Sequence, residues 1–120
     1  LELEIDLEVL KAMIAMSPDD PEFVFQVIDA FLQDVPQQLK KLREYQANGL
    51  AKEMGMEAHV LKSGALTMGL GPLSELCSEL DQRGRAGSLD GSAELVAKIG
   101  SGFEAAKIRL EAILKKRSIT

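Results

Sequence analysis

One cysteine, one histidine, one tyrosine and no tryptophan occur among the 120 residues of this chain. Each scarcity excludes something. A lone thiol, Cys77, cannot form an internal disulfide, so a reducing, cytoplasmic setting is the expectation. One histidine and one cysteine make a transition-metal site improbable. Aromatics are 4% of the chain and β-branched residues are scattered, which disfavours a sheet. No apolar run approaches the roughly 18 residues that span a bilayer, so no direct membrane contact is expected. The start, Leu1-Glu2-Leu3-Glu4, is acidic rather than basic and does not resemble a signal peptide. It also lacks an initiating Met, which suggests a piece of a longer protein. The net charge of −5, with no arginine-rich patch, argues against a nucleic-acid partner.

Apolar residues are 46% of the chain, enough for one core in one domain over residues 1–120. Everything periodic has the helical period. A short first helix is expected after Asp6, an N-cap candidate, with Leu7, Leu10 and Ile14 on one face. Ser17 to Pro21 breaks the chain. Asp20, Pro21 and Glu22 then combine a cap, a first-position proline and a first-turn acid. From there Phe23, Val24, Val27, Ile28, Phe31, Leu32, Val35, Leu39 and Leu42 recur at helical spacing. Pro36 falls within this run and predicts a kink, and Asn48-Gly49 ends it.

A third helix carries the stripe Leu50, Met54, Ala58, Leu61, Ala65 and Met68. Gly69 to Pro72 breaks the chain again. A fourth helix turns Leu73, Leu76, Cys77 and Leu80 inward, and Gly84 to Gly87 closes it. A last helix shows Leu95, Val96, Ile99, Phe103, Ala106, Leu110, Ile113 and Leu114. Short breaks between four substantial helices predict an all-α, antiparallel up-down four-helix bundle with a short extra N-terminal helix. One buried stripe per helix suits a monomer.

The single histidine, His59, lies inside the third helix. On a helical wheel Gly55, His59, Lys62, Ser63 and Leu66 share a face, about 100° from the buried stripe. The ring is therefore expected at the surface. A neutral imidazole is a nucleophile near neutral pH. A phosphoryl group on it would be dianionic, and Lys62, one turn on, could offset that charge. Gly55, Ser63 and Gly64 are small and would let a partner come close. Met56 and Leu66 could form an apolar rim for docking. No glycine-rich phosphate loop is present, so the chain has no evident ATP site of its own. Taken alone, His59 and Lys62 read better, by a wide margin, as a solvated helix face. Cys77 reads as a core residue.

The stretch Ala58-His59-Val60-Leu61-Lys62-Ser63-Gly64-Ala65-Leu66-Thr67-Met68-Gly69 resembles the signature of histidine-containing phosphotransfer (HPt) domains. That signature is roughly AHxLKGSxxxxG, followed by LxxxCxxLE. The second part is similar to Leu73-Ser74-Glu75-Leu76-Cys77-Ser78-Glu79-Leu80-Asp81, and Asp20 to Leu32 is similar to the family's second helix. The resemblance implies that His59 is the phosphoacceptor, Lys62 the charge partner and Gly69 the end of the histidine helix. It implies transfer to and from receiver domains of response regulators or hybrid sensor kinases. It implies no cofactor of the chain's own and Mg²⁺ supplied by the receiver. Ser63 stands where glycine is usual. Asp81 stands where glutamate is more frequent, a change expected to matter little. Leu70 stands for a common alanine.

Two other readings follow from the same residues. The chain could be the phosphoacceptor domain of a chemotaxis-type kinase, though Leu73 to Asp81 fits the hybrid-sensor type better. It could also be a helical docking module without phosphotransfer, in which His59 is incidental.

Overall fold

The structure is a computed structural model and describes residues 5–119; the acidic start lies outside them. Five helices follow in order: α1 (Leu7–Met16), α2 (Glu22–Ala47), α3 (Ala51–Thr67), α4 (Gly71–Arg85) and α5 (Ser92–Lys116). No strand occurs among the described residues. α2 packs on α3, α3 on α4, α4 on α5 and α5 back on α2, which closes a four-helix bundle. α1 lies against α2 as the short extra helix. None of these helices is long and apolar enough to cross a membrane.

The ends follow local chemistry. The Asp6 carboxylate accepts from the Glu8 backbone N–H at 3.0 Å and caps α1. The Asp6 N–H donates to the Gly69 carbonyl at 2.8 Å, tying the start of α1 to the α3–α4 turn. Gly69 has φ +74°, and a Cβ there would come within 2.5 Å of the Asp6 carbonyl oxygen. Only glycine fits that turn. Pro72 falls in the first turn of α4, where its missing N–H costs nothing.

Three expectations shift. α2 starts at Glu22, with Pro21 as the cap residue rather than the first helical one; only the Asp20 carbonyl contributes, accepting from Phe23 N–H at 3.1 Å. Phe23 is 42% exposed, and Phe25 is buried in its stead. Leu50 is also 42% exposed, because it is the cap of α3 and lies off the helical stripe. As expected, Pro36 sits inside α2, which ends at Ala47 with Asn48 as its cap residue. The core is otherwise the predicted one, from Leu10 and Ile28 to Met54, Ala58, Leu61 and Ala65, then Leu73, Cys77, Leu80, Ile99, Phe103 and Leu110.

Candidate functional site

The buried stripe of α3 fixes which residues remain outside. Met54, Ala58, Leu61 and Ala65 are buried. His59 follows Ala58, so helical geometry turns its ring to the edge facing α4. Its side chain is 54% exposed. Around it Met56, Val60 and Leu66 are 69%, 52% and 52% exposed. Isolated exposed apolar residues are ordinary, but three within three turns of one nucleophile form a patch. Val60 belongs to this rim although the wheel did not single it out. Lys62 is half-buried one turn beyond His59 and takes part in no ion pair among the described residues. Ser63 is exposed, and its hydroxyl donates to the His59 carbonyl at 3.3 Å.

Gly55 departs from expectation. It is buried, and a Cβ on it would lie 2.8 Å from the Gly84 Cα of α4. Its smallness serves the contact between helices instead of opening the surface to a partner. Gly64 is similar, since a Cβ there would press on the Phe31 ring at 3.3 Å. The converse contact is tighter still: a Cβ on Gly84 would fall on the Gly55 Cα and within 2.7 Å of the Ala51 carbonyl oxygen. α3 and α4 are therefore in backbone contact one turn before His59.

That contact brings a carboxylate to the ring. Asp81 lies on the inward face of α4, four residues after buried Cys77, with its side chain 8% exposed. The Asp81 Oδ2 is 3.1 Å from His59 Nδ1. Arg85, one turn on, donates from Nε to Oδ1 and from a terminal nitrogen to Oδ2, both at 3.1 Å. Burial alone would raise the Asp81 carboxyl. The hydrogen bonds from His59 and Arg85, with the Arg85 charge, outweigh burial and hold it below the ordinary carboxylate value. Asp81 is therefore an anion at neutral pH, and an anion can only accept. Nδ1 must then carry a proton, and in the neutral ring that leaves the Nε2 lone pair free.

His59, Asp81 and Arg85 line an open groove of about 550 Å³, with Lys52, Met56 and Val60 on its α3 side. The end of α4 is steadied by Arg83, whose Nε donates to the Asp90 carbonyl at 2.7 Å. Cys77 takes no part. It is buried, and burial pushes its thiol up to about 12, so it stays protonated. No cluster of three metal-ligating side chains occurs among the described residues.

His59 and Lys62 stand out in the sequence as site residues, whereas Asp81 and Arg85 do not. Asp81 makes the ring's one interhelical hydrogen bond among the described residues. A signal was available. A carboxylate four residues after a buried cysteine sits on a buried stripe and needs a partner, and Arg85 follows at the i+4 position.

No curated protein matches the chain by sequence. A solved structure is similar in fold: histidine-containing phosphotransfer protein B (HptB) from Pseudomonas aeruginosa PAO1. It superposes with a TM-score of 0.86 at 24% identity, covering 93% of this chain and 95% of that one, a likeness of fold. The sequence profile of the Hpt domain matches residues 26–116, which include α3, α4, α5 and nearly all of α2. The bundle, the half-exposed histidine and this match agree, and the chain belongs to the family of histidine-containing phosphotransfer (Hpt) domains.

Proposed function

We propose that His59 is the phosphoacceptor of this phosphotransfer domain, and that its Nε2 takes the phosphoryl group from an aspartyl phosphate on a receiver domain. One observation carries the reading: the ring is half exposed while its other nitrogen, Nδ1, is held by buried Asp81. The same groups serve return of the phosphoryl group to another receiver.

The Nε2 lone pair attacks phosphorus as the P–O bond to the receiver aspartate breaks. The bonding pair leaves on the aspartate oxygen. The transition state is loose, so alignment and charge stabilisation matter most. As the Nε2–P bond forms, positive charge develops on the ring. The Nδ1–H bond to Asp81 strengthens with that charge, so it favours the transition state over the ground state. In the reverse direction the proton on Nδ1 makes the ring a neutral leaving group. Lys62 approaches the phosphoryl oxygens from the next turn as a flexible point cation. Met56, Val60 and Leu66 form the apolar part of the docking face, and the Ser63 hydroxyl, already bonded within the helix, leaves that face unobstructed. The receiver brings the Mg²⁺ that balances its own phospho-aspartate.

The test is incubation with a phosphorylated receiver domain, comparing the native chain with His59→Gln. Label on the native chain alone, lost in acid and retained in base, is the expected result. Transfer to both chains, or a base-labile product, would place the phosphoryl group elsewhere.

A further inference from the structure

The Asp81 carboxylate can orient His59 only if it is itself oriented and charged, and nothing on its own helix backbone does that. The terminal torsion of aspartate is broad and roughly two-fold, so a carboxylate bonded to one ring nitrogen is free to swing. Three N–H groups converge on it here: His59 Nδ1 and one Arg85 nitrogen on Oδ2, and Arg85 Nε on Oδ1. The two Arg85 bonds fix the carboxylate plane, because a guanidinium fork binds both oxygens at once. Arg85 is on the exposed rim of the groove, its side chain 70% in solvent. An exposed ion pair adds little to stability. Its geometry is the more telling feature, since both bonds end on a carboxylate whose remaining partner is the reactive ring.

We propose that Arg85 is a positioning residue for phosphoryl transfer, clamping Asp81 so that Oδ2 accepts from His59 Nδ1 and the proton stays off Nε2. This rests on the reading of His59 as phosphoacceptor. The proton count explains why the clamp matters. An ionised Asp81 accepts and selects the ring tautomer with Nε2 free. A protonated Asp81 would donate to Nδ1 and select the opposite tautomer, with Nε2–H and no nucleophile. Arg85 is the cation that keeps the buried carboxylate in the first state. Lys52 also lines the groove, but its ammonium makes no hydrogen bond to Asp81, so the clamp is Arg85 alone.

The test uses the full chain, native and as Arg85→Gln, Arg85→Lys and His59→Gln, with phosphoramidate as the phosphoryl donor. This small donor has no protein surface, so docking cannot contribute. The Nε2 lone pair takes the phosphoryl group, the P–N bond breaks, and ammonia leaves with a proton from solvent. Because the chain has one histidine, the ring ¹⁵N shifts report its tautomer without ambiguity. For Arg85→Gln we expect labelling slowed about tenfold and ¹⁵N shifts moved toward a tautomer mixture. Arg85→Lys should fall between, since an ammonium supplies the charge but not the fork. Native labelling and unchanged ¹⁵N shifts in Arg85→Gln would overturn the proposal. Labelling of His59→Gln at the native rate would overturn the phosphoacceptor reading and the clamp with it.

Discussion

Along the α3–α4 seam two glycines, Gly55 and Gly84, bring the helix backbones together, whereas α2 and α5 meet through large side chains. Phe31 of α2 and Phe103 of α5 stack edge to face with centroids 6.0 Å apart. Large apolar side chains hold helices apart and fill the space between them, and that is where burial stabilises most. Glycines let helices close up at some cost in helix propensity, about 1 kcal/mol each. What the close approach provides is reach. Aspartate has a short side chain, and Asp81 meets His59 at 3.1 Å only because α4 lies against α3. The α2–α5 seam is filled by large side chains, and the α3–α4 seam holds the His59–Asp81 pair.

Variants can separate the two seams. The largest effect is expected from Phe103→Ala, which should lose about 3–5 kcal/mol in a denaturant titration. The folded fraction should still be labelled by phosphoramidate at the native rate. Slower labelling of a folded variant would mean that the seams are not independent. Next comes Gly84→Ala, where a Cβ would strike backbone on α3. It should lose about 1–3 kcal/mol and also slow labelling, because α4 must move away. Adding Asp81→Glu to that variant lengthens the carboxylate and should recover part of the rate. A double variant no faster than Gly84→Ala alone would show that reach is not the issue.

Lys62→Ala should slow transfer from a receiver about fivefold, near 1 kcal/mol in the barrier, and leave stability within about 0.5 kcal/mol. An unchanged transfer rate would remove Lys62 from the mechanism. The smallest effect concerns acid. The carboxyl of Asp81 is held below its ordinary value in the folded chain, so the unfolded chain binds its proton first as pH falls. Its contribution to stability is therefore present above the ordinary carboxylate range and lost as pH drops through the lowered value. Asp81→Asn should flatten that part of the stability–pH curve. A curve identical to that of the native chain would remove the Asp81 contribution.

Helical periodicity is a local property, and the local parts of this fold were readable from sequence. The Asp6 cap, the glycine stops at Gly49 and Gly69, and the stripe from Met54 to Ala65 all follow from neighbours a few residues away. The errors fall at helix ends. Phe23 and Leu50 continue a stripe on paper, but one lies in the first turn of its helix and the other is a cap, where the core does not extend. The site was half legible for the same reason. His59 and Lys62 share one helix face, whereas Asp81 is 22 residues from His59 and meets it only through the α3–α4 packing. Gly84 looked like a helix stop because glycine often is one; it lies inside α4, and its role depends on what stands opposite. Ser63 differs from the family pattern, and its hydroxyl donates to the His59 carbonyl.

In the proposed transfer Nε2 of His59 carries the phosphoryl group while Nδ1 keeps its proton on Asp81. The most direct measurement is ³¹P–¹⁵N coupling in the phosphorylated, ¹⁵N-labelled chain. One phosphorus coupled to Nε2 of His59 is the expected result. Coupling to Nδ1, or a phosphorus coupled to no ring nitrogen, would contradict it.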